Sequence, residues 1–167
     1  MDKILVAYAT KYGSTQQIAE KVGEVFRQAN LDVDVVQVDR VRDLTPYKVV
    51  ILGSAVYIGK WRKEAVEFLK KNVQALAERQ VWIFSSGPTG EGDPVELMKG
   101  WRFPTELQPF VDQIKPHDIA VFHGNLSTEK MNFMEKQVIK TVKAPVGDFR
   151  DWNAVTDWAN SIVNTLK

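Results

Sequence analysis

Short apolar runs rich in Val and Ile alternate along the chain with segments whose apolar residues recur every three or four positions. The apolar runs have the length and β-branched content of strands. Several of them are nearly continuous in apolar residues, which is typical of strands buried on both faces of a sheet. The five predicted strands are residues 3–9, 32–38, 47–53, 81–86 and 117–123.

The segments between these strands have the period of amphipathic helices. The regular alternation of strand and helix predicts a parallel sheet with helices on both faces, a three-layer α/β sandwich. Five strands favour the order 2-1-3-4-5, and no linker or repeat divides the chain, so we expect one domain over residues 1–167. The apolar stripes are Ile18/Val22/Phe26/Ala29, Ala65/Phe68/Leu69/Val73, Leu107/Phe110/Val111/Ile114 and Val155/Trp158/Ala159/Ile162/Leu166, the last preceded by Asp151 as N-cap.

Composition removes several classes of function. The 167 residues are 44% hydrophobic and carry 22 basic against 21 acidic side chains, so no global field attracts nucleic acid. The chain has no cysteine and only two histidines, which argues against thiol chemistry and against a metal site. No apolar stretch is long enough to span a bilayer. We therefore expect a cytoplasmic protein whose contact with a membrane is at most peripheral.

The loop after the first strand has the features of a phosphate site. Residues 10–15 read Thr-Lys-Tyr-Gly-Ser-Thr and lead directly into a predicted helix. Gly13 permits a tight turn, the helix N-terminus offers free N–H groups, and the hydroxyls of Thr10, Ser14 and Thr15 add donors. The same loop could instead be a simple capped turn with Ser14 as N-cap.

Other phosphate-binding and catalytic motifs are missing. A Walker loop needs a lysine after its last glycine, whereas Ser14 and Thr15 follow Gly13. The dinucleotide fingerprint needs three spaced glycines after the first strand, and only one is present. There is no Gly-x-Ser-x-Gly elbow for acyl transfer.

The pattern Thr-x-x-Gly-x-Thr at residues 10–15, on a five-strand βα chain, resembles the FMN phosphate loop of the flavodoxin family. The resemblance extends to residues 54–61, SAVYIGKW, and 85–92, SSGPTGEG, where that family places the two flanks of the isoalloxazine ring. It implies a flavodoxin-like fold with FMN as cofactor and Tyr57 as the stacking aromatic. The alternative makes Tyr57 and Trp61 ordinary packing residues at the start of a helix, and this is the expectation for Trp61. The implied FMN-binding residues are Thr10, Lys11, Tyr12, Gly13, Ser14, Thr15, Ser54, Ala55, Val56, Tyr57, Ile58, Ser86, Gly87, Pro88, Thr89 and Gly90.

The segments GSAVYIGKW, FSSGPTG, VFHGNL and APVGDFRDW are similar to the branch that contains menaquinone-dependent protoporphyrinogen IX dehydrogenases. Two functions follow from the resemblance. The chain is expected to carry electrons between partner proteins; alternatively it oxidises a porphyrinogen and passes the electrons to a quinone. Carriers of this family are strongly acidic, so a near-neutral chain weakens the first reading, while the lack of an acid–base constellation weakens the second. No catalytic residue is predicted.

Residues 127–150 are additional to a minimal flavodoxin, which passes from strand five almost directly to its last helix. Met131, Met134, Val138 and Val142 have helical spacing and are interspersed with lysines. This pattern predicts an extra helix that packs on its own domain through that stripe. The alternative is a docking surface for a quinone, a porphyrin or a partner protein.

Overall fold

The computed structural model describes residues 3–167. The strands are β1 Lys3–Ala9, β2 Val33–Gln37, β3 Tyr47–Tyr57, β4 Lys60–Trp61, β5 Gln80–Ser86, β6 Asp118–Phe122, β7 Asn125–Leu126 and β8 Gly147–Asp148. The helices are α1 Ser14–Gln28, α2 Lys63–Lys71, α3 Val73–Ala77, α4 Pro94–Leu97, α5 Gln108–Ile114, α6 Phe133–Val142 and α7 Trp152–Leu166. Among the described residues no helix is long and apolar enough to cross a membrane.

The main sheet has the order β2-β1-β3-β5-β6, with all neighbours parallel. These five strands are the five predicted from the sequence, so the predicted fold class and strand order are confirmed. The short β4 pairs antiparallel with the end of β3 and extends the sheet locally. The pairs Ala9–Ser54 and Ala55–Ser86 bring the carboxyl ends of β1, β3 and β5 to the same edge.

Alternation along the buried strands divides the core into two layers. Ile4 and Val6 of β1 pack with Phe26 of α1 and with α7 on one face of the sheet. Leu5 and Ala7, the intervening residues, pack with α2, α3 and α5 on the other face. Each fully buried large aliphatic side chain stabilises the fold by about 1.5–3 kcal/mol. Both faces are therefore covered, as the apolar strand sequences predict.

Three boundaries differ from the sequence-based expectation. The stripe at residues 65–73 is two helices, because Asn72 ends α2 and its side-chain amide donates to Phe68 O at 2.8 Å. β3 runs four residues beyond Gly53, because β4 folds back and pairs with its end. Gly13, not Ser14, is the N-cap of α1. The predicted Asp151 cap is confirmed, since its carboxylate accepts from Ala154 N at 3.1 Å.

Residues 127–146, which we call the insertion, leave and rejoin the domain through the antiparallel β7–β8 ribbon. Phe149 N donates to Gly124 O at 3.1 Å, and Arg150 bonds both Asp148 and Gln17 of α1. The extra helix of the insertion is α6. The β7–β8 ribbon thus holds the two ends of the insertion together beside the main sheet.

The predicted apolar stripe is not the buried face of α6. A capping box between Asn132 and Glu135 starts the helix at Phe133 and sets its rotation. Met131 lies before the helix and is buried, while Met134 is exposed. Ile139 provides the buried contact of α6 instead.

Gly53 gives a test of the core between β3 and β5. A Cβ on Gly53 would lie 2.0 Å from Cζ of the buried Phe84 ring. Overpacking of this kind costs about 1–3 kcal/mol, so we expect Gly53→Ala to lower the free energy of unfolding by that amount in urea denaturation. Phe84→Leu removes the clashing ring atoms, and the double variant should lose less than the sum of the two single changes. Strictly additive losses would contradict this packing.

Candidate functional site

A cleft of about 420 Å³ opens at the carboxyl-terminal edge of the sheet, where the loops after β1, β3 and β5 meet. Ligands of open α/β sheets bind at this edge, beside the point where the strand order reverses. Most of the residues predicted to bind the cofactor line the cleft. They are Thr10, Lys11, Tyr12, Ser14, Thr15, Ala55, Val56, Tyr57, Ile58, Ser86, Gly87, Pro88 and Thr89.

One end of the cleft is formed by the N-terminus of α1. Gly13 has φ +95°, a left-handed conformation that favours glycine, and its N–H donates to Thr10 Oγ1 at 2.9 Å. Within the part of the chain that the structure describes no side chain caps the helix, and the first turn of the helix contains no acidic residue. The Ser14 hydroxyl is buried and has no hydrogen-bond partner within residues 3–167. Free helix N–H groups and an unpaired donor together favour an anionic ligand.

The loops after β3, β5 and β6 pack backbone against backbone. A Cβ on Gly87 would lie 2.9 Å from Val56 Cβ, and one on Gly124 would lie 2.8 Å from Gly87 O. Gly87 N donates to Phe122 O at 3.1 Å, and Gly124 N donates to Pro88 O at 2.9 Å. Only glycine permits such close approach, so main-chain groups rather than long side chains line this part of the cleft.

Ser54, Gly13 and Gly90 are the predicted residues that the structure does not place on the cleft surface. Ser54 is fully buried, and its hydroxyl accepts from Arg62 N at 3.0 Å. The Ser54 hydroxyl therefore stabilises the β3–β4 turn from within the core. Gly13 lies in the turn just outside the cleft lining, and Gly90 packs near Pro145, which a Cβ would approach to 3.3 Å.

Trp61 is a packing residue, as expected. It is 5% exposed, and its indole Nε1 donates to Ser85 Oγ at 2.9 Å. Ser85 Oγ in turn donates to Arg102 O at 2.7 Å. This buried chain connects β4, β5 and the loop after α4, so the two loops that flank the cleft are held by one hydrogen-bond network.

Glu135 of α6 connects the insertion to the loop after β1. Its carboxylate lies 2.6 Å from Lys11 Nζ and accepts a hydrogen bond from the Tyr12 hydroxyl. Lys11 Nζ also lies 3.9 Å from the centroid of the Tyr57 ring. Hydrogen bonds from Lys11 and then from Tyr12 lower the pKa of Glu135 from 4.5 to about 2, so the carboxylate is charged at neutral pH.

A family model for the flavodoxin domain matches residues 5–153. The chain belongs to the flavodoxin-domain family. The protoporphyrinogen IX dehydrogenase (quinone) of Escherichia coli strain K12 is 22% identical over 183 aligned residues, which cover 97% of this chain and 95% of that protein. The predicted family is confirmed, and FMN is the cofactor that membership supports.

Solved flavodoxin structures share the fold of this flavodoxin domain. A short-chain flavodoxin associated with a PDU bacterial microcompartment matches with a TM-score of 0.64 at 15% identity, over 100% of both chains. The flavodoxin of Streptococcus pneumoniae TIGR4 matches with a TM-score of 0.61 at 15% identity, covering 98% of this chain and 99% of that one.

The groups present in the cleft of this flavodoxin domain fit FMN. The phosphate of FMN is a dianion, which suits the uncapped N-terminus of α1 and the unpaired Ser14 hydroxyl. The flat isoalloxazine ring suits a cleft whose one wall, residues 55–58, carries the Tyr57 ring and the aliphatic Val56 and Ile58, and whose other wall, residues 86–89, has small side chains. The ends of the cleft thus match the two chemically different ends of the cofactor.

Sequence reasoning missed the part of the cleft that comes from α4, the β6–β7 connection and the insertion. The segments VFHGNL and APVGDFRDW, which carry part of the family resemblance, contain Gly124, Asn125, Leu126, Ala144 and Pro145, but these residues are not among the predicted cofactor-binding residues, because they reach the cleft through long-range folding. The clustered methionines and valines of the insertion were a signal of apolar surface, but not of its location. From these three regions the additional lining residues are Leu97, Met98, Gly124, Asn125, Leu126, Ile139, Val142, Ala144 and Pro145, and Gly59 of the SAVYIGKW segment also lines the cleft.

Replacing Glu135 tests the contact between α6 and the loop after β1. We expect Glu135→Gln to remove the ion pair with Lys11, so that the insertion opens more often and trypsin cleaves after Lys136 and Lys140 several times faster. Glu129→Gln is the matched control, because Glu129 is an exposed acid of the same insertion. Equal cleavage rates for wild type and Glu135→Gln would show that Glu135 does not hold the insertion.

The lowered pKa of Glu135 gives the same contact a pH dependence. Because the folded-state pKa lies below 4.5, the stabilisation is complete above that value and is lost as the pH falls toward about 2. The protection factors of the α6 amides, which compare the measured hydrogen exchange with the intrinsic rate at each pH, should fall over this range in the wild type. The dependence should be absent in Glu135→Gln, so an identical pH response in both proteins would contradict the assignment.

Proposed function

We propose that this flavodoxin-domain protein binds one FMN in the cleft and transfers electrons through it between redox partners. The observation that carries the proposal is the convergence, on one cleft, of an uncapped helix N-terminus with two loops that present main-chain groups. FMN supplies one- and two-electron transfer, chemistry that protein side chains lack. The chain's own residues bind and orient the cofactor.

In this proposal the phosphate binds to main-chain N–H groups at the start of α1 and to the hydroxyls of Thr10, Ser14 and Thr15. Thr15 is 1% exposed, so its side chain is fixed before the ligand arrives. Lys11 and Tyr12 contribute through the backbone, because Glu135 already occupies their side chains. Gly13 gives the turn the left-handed conformation that aims the N–H groups at the ligand.

The ring of FMN lies between residues 55–58 and 86–89 in this proposal. Gly87 and Gly124 fix the backbone path of these loops, and Ser54 supports the first of them from the core. Tyr57 is the stacking aromatic, and the Lys11 ammonium beside its ring limits the positions that the ring can adopt. In this proposal Gly90 supports the cofactor site indirectly, through the contact of its loop with Pro145.

The titratable side chains of the cleft support electron transfer rather than acid–base catalysis. Lys11, Tyr12 and Tyr57 are the titratable residues that line it, and within the described part of the chain no His, Asp or Glu does so. Lys11 and Tyr12 are both engaged by Glu135. A reaction that needed a general base would have no positioned group to use.

A second candidate function is the oxidation of a porphyrinogen with transfer of the electrons to a quinone. The specific observation that favours it is the insertion, whose Ile139, Val142 and Pro145 add apolar surface to the cleft. The apolar part of a porphyrinogen macrocycle, or the ring of a quinone, would gain contact area there. The 22% identity to a quinone-type protoporphyrinogen IX dehydrogenase, over nearly the whole of both chains, adds support.

Ser14→Ala tests the cofactor site. Because the Ser14 hydroxyl has no partner, its removal should leave the stability of the cofactor-free protein unchanged. FMN affinity in isothermal titration should fall about tenfold or more, as for the loss of a hydrogen bond to a charged group. Ser161→Ala on α7 is the control, since that hydroxyl bonds Trp158 O far from the cleft. Unchanged FMN affinity in Ser14→Ala, or tighter binding of FAD than of FMN by the wild type, would contradict the site.

The two functions can be separated by shortening the insertion. Leu126 and Gly147 are paired across the β7–β8 ribbon, so an Asn-Gly turn can replace residues 127–146. We expect the FMN-loaded short variant to accept electrons from a flavodoxin reductase at close to the wild-type rate. Retained FMN absorbance and circular dichroism serve as the folding control.

The same pair of proteins is then assayed with protoporphyrinogen IX and a menaquinone analogue. Wild-type turnover that disappears in the short variant would support the dehydrogenase function. If the wild type has this activity and accepts no electrons from the reductase, the carrier proposal is wrong and the second candidate replaces it.

A further inference from the structure

The outer side of α6 carries the two most exposed large hydrophobic side chains of the described chain. Phe133 is 74% exposed and Met134 is 76% exposed. Lys136 and Lys140 lie on the same outer side, and Lys130 and Lys143 lie just before and after the helix. We call this set of six residues the outer face of α6.

The outer face cannot turn inward without breaking the contacts of the opposite side. The Asn132–Glu135 capping box fixes where the helix starts, and Glu135 is bound to Lys11 and Tyr12. Ile139, one turn further along, is 8% exposed. The contacts of Asn132, Glu135 and Ile139 therefore fix the rotation of the first turn of α6. This rotation keeps Phe133 and Met134 exposed to solvent.

The charge of this region differs from that of the whole chain. The exposed charged residues of the insertion are four lysines, Lys130, Lys136, Lys140 and Lys143, and one acid, Glu129. Glu135 is directed to Lys11, so it does not offset them. The whole chain has 22 basic against 21 acidic residues. The positive charge is thus a local property of the outer face.

We infer that the outer face of α6 docks on an anionic lipid surface. Phe133 and Met134 would enter the boundary between headgroups and acyl chains, while the lysines extend toward the anionic headgroups. The exposed apolar side chains at one end of α6 are accompanied by lysines. A lipid surface offers a partner to both, because acyl chains accept apolar side chains and anionic headgroups attract lysines. An acidic protein partner would use the lysines but would leave Phe133 and Met134 without an assigned contact.

The opposite side of α6 lines the cleft. Val142 at the end of α6 and Ile58 of the β3–β4 turn both line the cleft and are 53% and 54% exposed. Val142 lies half a turn around the helix from Phe133, so docking through the outer face would place the cleft about one helix diameter from the lipid, where a lipid-dissolved acceptor could reach it. This consequence rests on the proposed redox function, whereas the docking itself does not.

Co-sedimentation with lipid vesicles tests the docking. The full chain is mixed with vesicles of phosphatidylcholine alone or of phosphatidylcholine with phosphatidylglycerol. We expect binding to the anionic vesicles only, weakened by added salt. Lys136→Glu/Lys140→Glu should weaken the binding at least about tenfold, and Phe133→Ser/Met134→Ser should weaken it under the same conditions.

Lys48→Glu/Lys115→Glu is the matched control, because both lysines are exposed at the opposite, amino-terminal edge of the sheet. It makes the same change of net charge and should bind as the wild type does. Failure of the wild type to bind anionic vesicles would overturn the inference, as would equal losses in the control and in Lys136→Glu/Lys140→Glu. FMN affinity, measured in parallel, should be unchanged in every variant, so vesicle binding and the cofactor proposal are tested separately.

Discussion

The burial of β1, β3 and β5 on both faces is the constraint on which the rest of the structure depends. The helices that cover the two faces are also the crossovers between parallel strands, and the carboxyl ends of parallel strands meet at one edge of the sheet. The Ala9–Ser54 and Ala55–Ser86 pairs bring three loops to that edge at one level. Side-chain bulk is excluded where Gly87 packs on Val56 and Gly124 packs on Gly87, because the backbones approach closely at these points. A cleft lined by main-chain groups follows from the sheet itself.

The insertion changes what the loop after β1 can do with its side chains. The loop offers backbone and hydroxyl groups to an anion. A lysine in such a loop would be expected to bind the anion with its ammonium group. Here Glu135 takes the Lys11 ammonium and the Tyr12 hydroxyl, so the loop is tied to α6 through its side chains. Its main chain stays free at the helix N-terminus. The loop after β1 thus binds α6 through its side chains and presents main-chain N–H donors to the interior of the cleft.

The sequence predicted what depends on local pattern and on strand ends. The five strands and the helices α1, α5 and α7 follow from periodicity, the position of the cleft follows from loops at strand ends, and most of its lining residues were implied by the resemblance to the flavodoxin family. Ser54 could not be placed by position alone, because its orientation depends on the β4 turn that it fastens. The Lys11–Glu135 contact spans more than a hundred residues, and the rotation of α6 follows from a capping box rather than from its apolar stripe. Such features depend on tertiary contacts that a linear pattern does not encode.

The described lining of the cleft contains Lys11, Tyr12 and Tyr57 as its titratable side chains, and Glu135 binds the first two. In the proposed function, selectivity among partners therefore depends on access to the cofactor. A cofactor that exchanges electrons can serve any partner that approaches closely, so what surrounds the cleft mouth decides which partner that is. Around this mouth the chain presents apolar residues, Ile58 and Val142, where a carrier that recruits basic proteins would need acidic ones. The adjacent outer face of α6 is basic. In the proposed function, an apolar rim beside a positive face would favour acceptors that are themselves apolar or that lie at an anionic surface, and would disfavour basic proteins.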